Sequence, residues 1–172
     1  MPTVEIRDER PEDAEAIRAI NDRAFGGDAE GRIVDALRAR HALTLSLVAT
    51  VDGVVVGHVA FSPVAAATGV TGCGLAPIAV LPEHQQRGIG SALIQGGLAR
   101  LAASDTPFVV VLGHPEYYPR FGFEPASRRG LRCEWNVPDD TFMIRVFRAV
   151  PEGVSGLARY RPEFSAAESG GA

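Results

Sequence analysis

The stretch "LAPIAVLPEHQQRGIGSALI", residues 75–94, decides how this chain is read. It opens as an apolar strand, turns through Pro82, and then sets Gly88 and Gly90 at the mouth of an apolar helical run. A glycine inside a helix costs about 1 kcal/mol relative to alanine, so bare backbone at this point needs a reason. The first turn of a helix has about four amide N–H groups without internal partners. It also carries about half a positive charge from the aligned peptide dipoles. Together these make an anion site, and phosphate is its usual occupant. Glycine removes the Cβ atoms that would keep a phosphate from the amides, and Arg87 adds a cation at the same place. The competing reading is a plain helix cap. The spacing is neither that of a P-loop, which needs Gly-Lys-Ser/Thr, nor that of the dinucleotide fingerprint, since Leu93 stands where the third glycine would be.

Working outward, residues 75–81, 88–103 and 108–112 form a strand, a helix and a strand. Such a β-α-β crossover joins parallel strands, with a right-handed connection in about 98% of cases. "FVVVL" (108–112) is continuously apolar, as expected of a strand buried on both faces. Pro77 inside the preceding strand predicts incomplete pairing there.

On the N-terminal side, "TVEIR" (3–7) alternates as a first strand. A helix follows over 10–25, with Pro11 suited to its first turn and Glu12 and Asp13 at its positive end. Residues 28–40 read as a second helix. "LTLSLVATVDGVVVGHVAFSPV" (43–64) is a β-hairpin joined at Asp52-Gly53, a pair that favours a tight primed turn. "ATGVTGCG" (67–74) reads as a loop or the start of a strand, and residues 140–150 as a late strand. The expectation is an α/β (mixed α+β) fold: a mixed, mostly antiparallel sheet with one parallel β-α-β unit and helices on both faces. A single domain is expected over 1–164, with a flexible tail over 165–172.

Composition bounds the rest. The chain has 172 residues, 46% hydrophobic and 22% charged, with a formal net charge of −4. That charge disfavours nucleic acid, which rewards a basic face. The arginines at 120, 128, 129 and 132 read as a solvated loop. Cys73 and Cys133 form no disulfide framework, and without a Cys/His cluster no metal site is expected. The charged N-terminus lacks the apolar core of a signal peptide, and no run reaches 18 apolar residues. A cytoplasmic protein without a membrane anchor is expected.

"QQRGIG" (85–90) resembles the Gln/Arg-x-x-Gly-x-Gly/Ala motif of the GNAT superfamily of N-acetyltransferases. The strand before it and the helix and strand after it stand in that family's order. "YYPRFGFEP" (117–125) is similar to the family segment in which a tyrosine, here Tyr118, precedes a Gly-Phe pair by four residues. The phrases "GHVAFSPV", "LAPIAV", "VLGHPEYYPRFGF" and "VPDDTFM" further resemble a subgroup of predicted acetyltransferases.

The resemblance implies splayed central strands and acetyl-CoA as cosubstrate. Its pyrophosphate would sit on Gln85, Gln86, Arg87, Gly88, Ile89, Gly90 and Ser91, and its pantetheine arm along the backbone of Ile78, Ala79 and Val80. The implied reaction is direct attack of a primary amine on the thioester in a ternary complex. The Val80 amide would serve the oxyanion and Tyr118 would be the acid for the leaving thiolate, with Tyr117 facing elsewhere. Many relatives carry a glutamate on the central strand as base. Residues 75–81 have none, which leaves Glu83, His58, His114, Glu116 or a water chain. His58 shares an otherwise apolar strand face, where a core histidine is the commoner outcome. Asp28, Glu30 and Asp35 are candidates to meet a cationic acceptor, a small molecule or a peptide. The alternatives are a non-catalytic acetyl-CoA sensor or a transferase of another acyl group or acceptor. Dimerisation, common in the family, is also an expectation.

Overall fold

The computed structural model describes residues 2–169, the side chains of 166–169 excepted. The chain divides into two compact units, and their boundaries run through two strands and a helix. No helix among the described residues is long and apolar enough to cross a membrane.

The first unit comprises, among the described residues, 2–61, 76–97 and 162–169. Its strand order is β1 (Val4–Asp8), β2 (Leu45–Val51), β3 (Val54–Ala65), β4 (Thr71–Val80). β1 and β2 pair antiparallel, Val4 opposite Val51, and β2 and β3 pair antiparallel from Val51–Val54 to Leu45–Phe61. The hairpin at Asp52-Gly53 is the primed turn expected, since φ is +50° and +84° at its two central residues.

Side chains two apart on a strand share a face, and both faces of this sheet are covered. On one, Val48 packs with Ile17 of α1 (Ala14–Phe25) and Val34 of α2 (Ala29–Ala39). On the other, α3 (Ile89–Ala102) lies close against β3. A Cβ at Gly57 would stand 3.2 Å from Ile89 and Leu93, and one at Gly97 only 2.5 Å from the Phe61 ring. α1 is entered through a 3₁₀ turn at Pro11–Asp13. The Asp13 carboxylate accepts from the Arg10 amide at 2.7 Å and takes both Arg7 Nη atoms at 2.7 and 3.1 Å. The Arg7 hydrogen bond holds its pKa below the ordinary aspartate value despite the opposing pull of burial.

The second unit comprises residues 62–75 and 98–161. Its strands run in the order β3, β4, β5 (Phe108–Leu112), β8 (Phe142–Val146), β6 (Glu124–Pro125). β4 and β5 are the parallel pair, from Cys73–Val109 to Leu75–Val111. β5 and β8 are antiparallel. A small sheet pairs β7 (Leu131–Cys133) with β9 (Gly156–Ala158) in parallel, which the sequence did not suggest.

Three boundaries differ from expectation. β4 begins at Thr71 rather than Leu75, so of the two readings of "TGCG", loop or start of a strand, the second holds. The late strand is confined to Phe142–Val146; past it the Phe147 amide donates to the Pro107 carbonyl at 2.8 Å and the Arg148 side chain to the carbonyls of Ala102 and Ser104. The stretch from 165 onward, expected as a tail, is helical as far as Ser169 within α4 (Pro162–Ser169). Residues 170–172 lie outside the described residues.

Candidate active site

The site is built at the end of β4. The Leu81 amide donates to the Val56 carbonyl at 2.9 Å, which ties the strand end to β3. Peptide groups alternate sides along a strand, so the amides of Val80 and Ile78 point away from β3. The parallel ladder with β5 has its last pair at Leu75–Val111, while β4 itself runs on to Val80. Pro77, which has no N–H to donate, stands two residues past that last pair. The outer edge of Ile78–Val80 is therefore a strand edge that an extended amide-bearing ligand can join.

After β4, Pro82–His84 makes a 3₁₀ turn. Gln85 is extended, Gln86 is left-handed at φ +62° and Gly88 is left-handed at φ +81°. Positive φ is uncommon for a glutamine and clusters at ligand-binding turns. Alternation of this kind gathers successive N–H groups into a concave anion nest. α3 starts directly behind it. The first bond of its ladder runs from the Ala92 amide to the Gly88 carbonyl at 3.0 Å, so the Ile89 and Gly90 amides have no partner within the helix. Ile89 is buried and anchors this turn, while Arg87 and Gly88 are exposed. A Cβ added at Gly88 or Gly90 would meet nothing within 4 Å. The glycines thus border open space above the helix start, with backbone donors and one arginine around it. That donor set fits a pyrophosphate. Gln85 plays a different part from its neighbours: its side-chain amide donates to the Val80 carbonyl at 3.0 Å and pins the loop to the strand.

Tyr118 belongs to the second unit, in the 3₁₀ turn Tyr118–Phe121. Its ring is 7% exposed. It packs edge-on against Tyr117 and Phe123, with centroids 5.2 and 5.8 Å away. Gly113 makes room for it, since a Cβ there would collide with the Tyr118 ring. Burial pushes the phenol up to about 12, so it keeps its proton across the neutral range.

The base candidates separate clearly. Glu83 is committed to Arg23 of α1 through two hydrogen bonds of 3.0 and 2.9 Å, and this pairing holds its carboxyl below the ordinary range. His58 is fully buried in the first unit. The Asn21 side-chain amide donates to the Ile17 carbonyl at 3.0 Å and lies 3.3 Å from His58 Nδ1. Nδ1 is therefore the acceptor, and Nε2 carries the proton toward Ser46 Oγ at 2.9 Å. Ser46 in turn donates to Glu9 at 2.5 Å, and Glu9 takes Arg38 at 2.7 and 3.0 Å. Burial alone would raise Glu9, but its bonds to Arg38 and Ser46 hold it below its ordinary value. His58 is thus a satisfied core group rather than a cleft base. His114 and Glu116 are exposed, and the His114 carbonyl accepts the Tyr117 amide at 3.1 Å.

The same network engages Asp35, one of the three carboxylates expected to meet a cationic acceptor. Asp35 bonds Arg18 at 2.8 Å and Arg38 at 3.0 Å, while Asp28 stands 4.0 Å from Arg32. Glu30 is half-exposed on the first turn of α2.

Burial depresses the His58 pKa from about 6.5 to about 4. Between these values the unfolded chain binds a proton that the folded chain refuses, so stability falls as pH drops from about 6.5 to about 4. A shift of this size corresponds to about 3 kcal/mol across the window. Urea unfolding at pH 7 and 4.5 should show the loss. His58→Gln should be less stable at pH 7 but much flatter over this range, and an unchanged slope would refute the assignment.

Comparison with known proteins gives the family of the chain. A family model described as an acetyltransferase (GNAT) domain matches residues 5–126. The N-acetyltransferase YhbS of Escherichia coli K12 is 41% identical over 163 residues, which is 93% of this chain and 98% of YhbS. YjhQ of the same organism, also named an N-acetyltransferase, is 37% identical over 86% of each chain. The crystal structure of Escherichia coli YhbS in complex with CoA superposes with a TM-score of 0.89 at 40% identity, over 96% of this chain and 93% of that one. A GNAT family acetyltransferase from Brucella melitensis in complex with acetyl-CoA gives 0.80 at 41% identity, over 94% and 98%.

Proposed function

The chain belongs to the GNAT acetyltransferase family, and from that premise we propose that a primary amine attacks the acetyl group of acetyl-CoA directly, within a ternary complex on this chain. It is an acetyl-CoA-dependent N-acetyltransferase, as its family and its CoA-bound relatives support. The observation that carries the reading is the strand end, nest and open glycine-lined helix start over Ile78–Ser91. The amides of Gln86–Gly90 and the Arg87 guanidinium hold the pyrophosphate. The Ile78–Val80 edge pairs with the pantetheine arm, and Gln85 fixes the loop relative to that edge.

Acetyl-CoA supplies an activated acetyl thioester. Alignment of the two reactants can itself contribute several kcal/mol, so few catalytic side chains are needed. The Val80 amide, aimed away from β3, donates to the developing oxyanion. Tyr118 holds a proton for the departing thiolate. With Glu83 and His58 both engaged, the amine loses its proton to water or to an exposed group such as His114 or Glu116. Small amines and peptide N-termini or lysines are the acceptor classes to test.

Thermal unfolding with acetyl-CoA, with NAD and ATP as controls, tests the reading. Cosubstrate at 100 times its Kd adds about 2.7 kcal/mol, or about 5 to 10 °C for a domain of this size. Thiol release with an amine panel then identifies the acceptor. No shift at millimolar acetyl-CoA would overturn the assignment.

A further inference from the structure

The Arg23–Glu83 pair spans sixty residues of sequence and joins the last turn of α1 to the 3₁₀ turn ahead of the nest. Both side chains are about half exposed, at 53% and 51%. Exposed pairs contribute little to global stability, so stability does not account for it. Its geometry does suggest a purpose. The guanidinium meets the carboxylate by two parallel bonds, a fork that fixes orientation as well as distance. Glu83 lies two residues before Gln85, whose side chain is pinned to Val80, and three before the left-handed Gln86. The turn is thus held on the strand side by Leu81 and Gln85, and on the helix side by Arg23.

Charge gives the pair a second effect. An unpaired Glu83 carboxylate so close to the nest would repel a pyrophosphate. Paired with Arg23, it leaves Arg87 as the cation that sets the local field. Beyond Arg23, α1 ends at the half-exposed Phe25 and the left-handed Gly26, before the segment that carries Asp28 and Glu30.

We infer that Arg23 is a positioning residue for acetyl-CoA: through Glu83 it holds the phosphate-binding loop in its binding-ready shape and neutralises the Glu83 carboxylate beside it. This rests on the acetyltransferase reading above. Arg23 touches no reacting atom, so its loss acts on cosubstrate affinity and leaves the chemical step alone.

The test is amide hydrogen exchange over residues 82–91 without ligand, together with calorimetric titration of CoA. Wild type, Arg23→Ala, Glu83→Gln and the charge-swapped Arg23→Glu/Glu83→Arg protein are compared. Arg23→Ala should speed exchange in the loop several-fold and weaken CoA about tenfold, with KM for acetyl-CoA raised and kcat unchanged. Glu83→Gln, which leaves the cation in place, should lose less. The swapped protein should return to within about threefold of wild type. Loop exchange identical in wild type and Arg23→Ala overturns the inference whether or not CoA binds. Faster exchange with no change in CoA affinity overturns it as well. Failure of the wild type to bind CoA is recognised separately in the same titration, and it removes the acetyltransferase reading together with the inference built on it.

Discussion

Gly90→Glu should fold at least as well as the wild type and bind CoA at least a hundredfold more weakly. The two effects have opposite signs, which makes the variant diagnostic. A Cβ at position 90 meets nothing within 4 Å, and the residue lies in the first turn of α3. Replacing glycine in a helix gains about 0.5 kcal/mol, and a carboxylate at a helix N-terminus gains about 0.3–1 kcal/mol from the dipole. The same carboxylate would occupy the space assigned to the pyrophosphate. Two unit charges 4 Å apart repel by about 4 kcal/mol at an effective dielectric near 20, more than the 2.7 kcal/mol of a hundredfold loss. Urea unfolding and calorimetric CoA titration read the two halves. A variant that binds CoA like wild type would mean the phosphates lie elsewhere. A variant that loses both stability and binding would mean that Gly90 serves the fold. Gly88 is the less clean site for this test, since its φ of +81° strains any replacement.

The parts of this chain that rest on local chemistry were legible in its sequence. Asp52-Gly53 can do little other than turn between two β-rich runs, and both residues take positive φ. The Pro-loop-Gly-x-Gly passage from strand to helix likewise declares itself, and the continuous apolar run at 108–112 is a strand with neighbours on both sides. His58 was readable as a core histidine from the apolar alternation around it. Its partners were not, because Asn21 comes from α1, Ser46 from β2 and Glu9 behind it from the loop after β1, and all three look like ordinary surface residues. The pairing of Arg23 with Glu83 was illegible for the same reason. The glycines of "TGCG" left a loop and the start of a strand equally open, and they serve close approach within a strand: a Cβ at Gly72 would run into the Phe108 backbone, and one at Gly74 would stand 2.7 Å from the Tyr160 ring. Glycine marks bare backbone, and sequence alone does not say whether a turn, a neighbour or a ligand requires it. At Gly88 and Gly90 no neighbour within 4 Å requires the missing Cβ, which is the arrangement the proposed phosphate site needs and which Gly90→Glu tests.

Tyr118→Phe should lower kcat by about a hundredfold or more, the usual loss on removing a positioned general acid, with KM for acetyl-CoA nearly unchanged. The substitution deletes one hydroxyl and keeps the ring that Tyr117, Phe121 and Phe123 pack against, so the fold should persist. The pH profile then separates an acid from a packing aromatic. With its pKa near 12, Tyr118 stays protonated throughout the working range, so wild-type kcat should rise as the acceptor amine deprotonates and show no alkaline decline below about pH 11. The variant should keep that shape at a lower level, because the group removed never titrates within it. A kcat within threefold of wild type would leave Tyr118 as core and assign protonation of the thiolate to solvent. A lowered kcat with a new alkaline limb would mean that another group, with an ordinary pKa, had taken over as acid. Only the uniform drop fits a phenol whose burial both packs it and keeps its proton available.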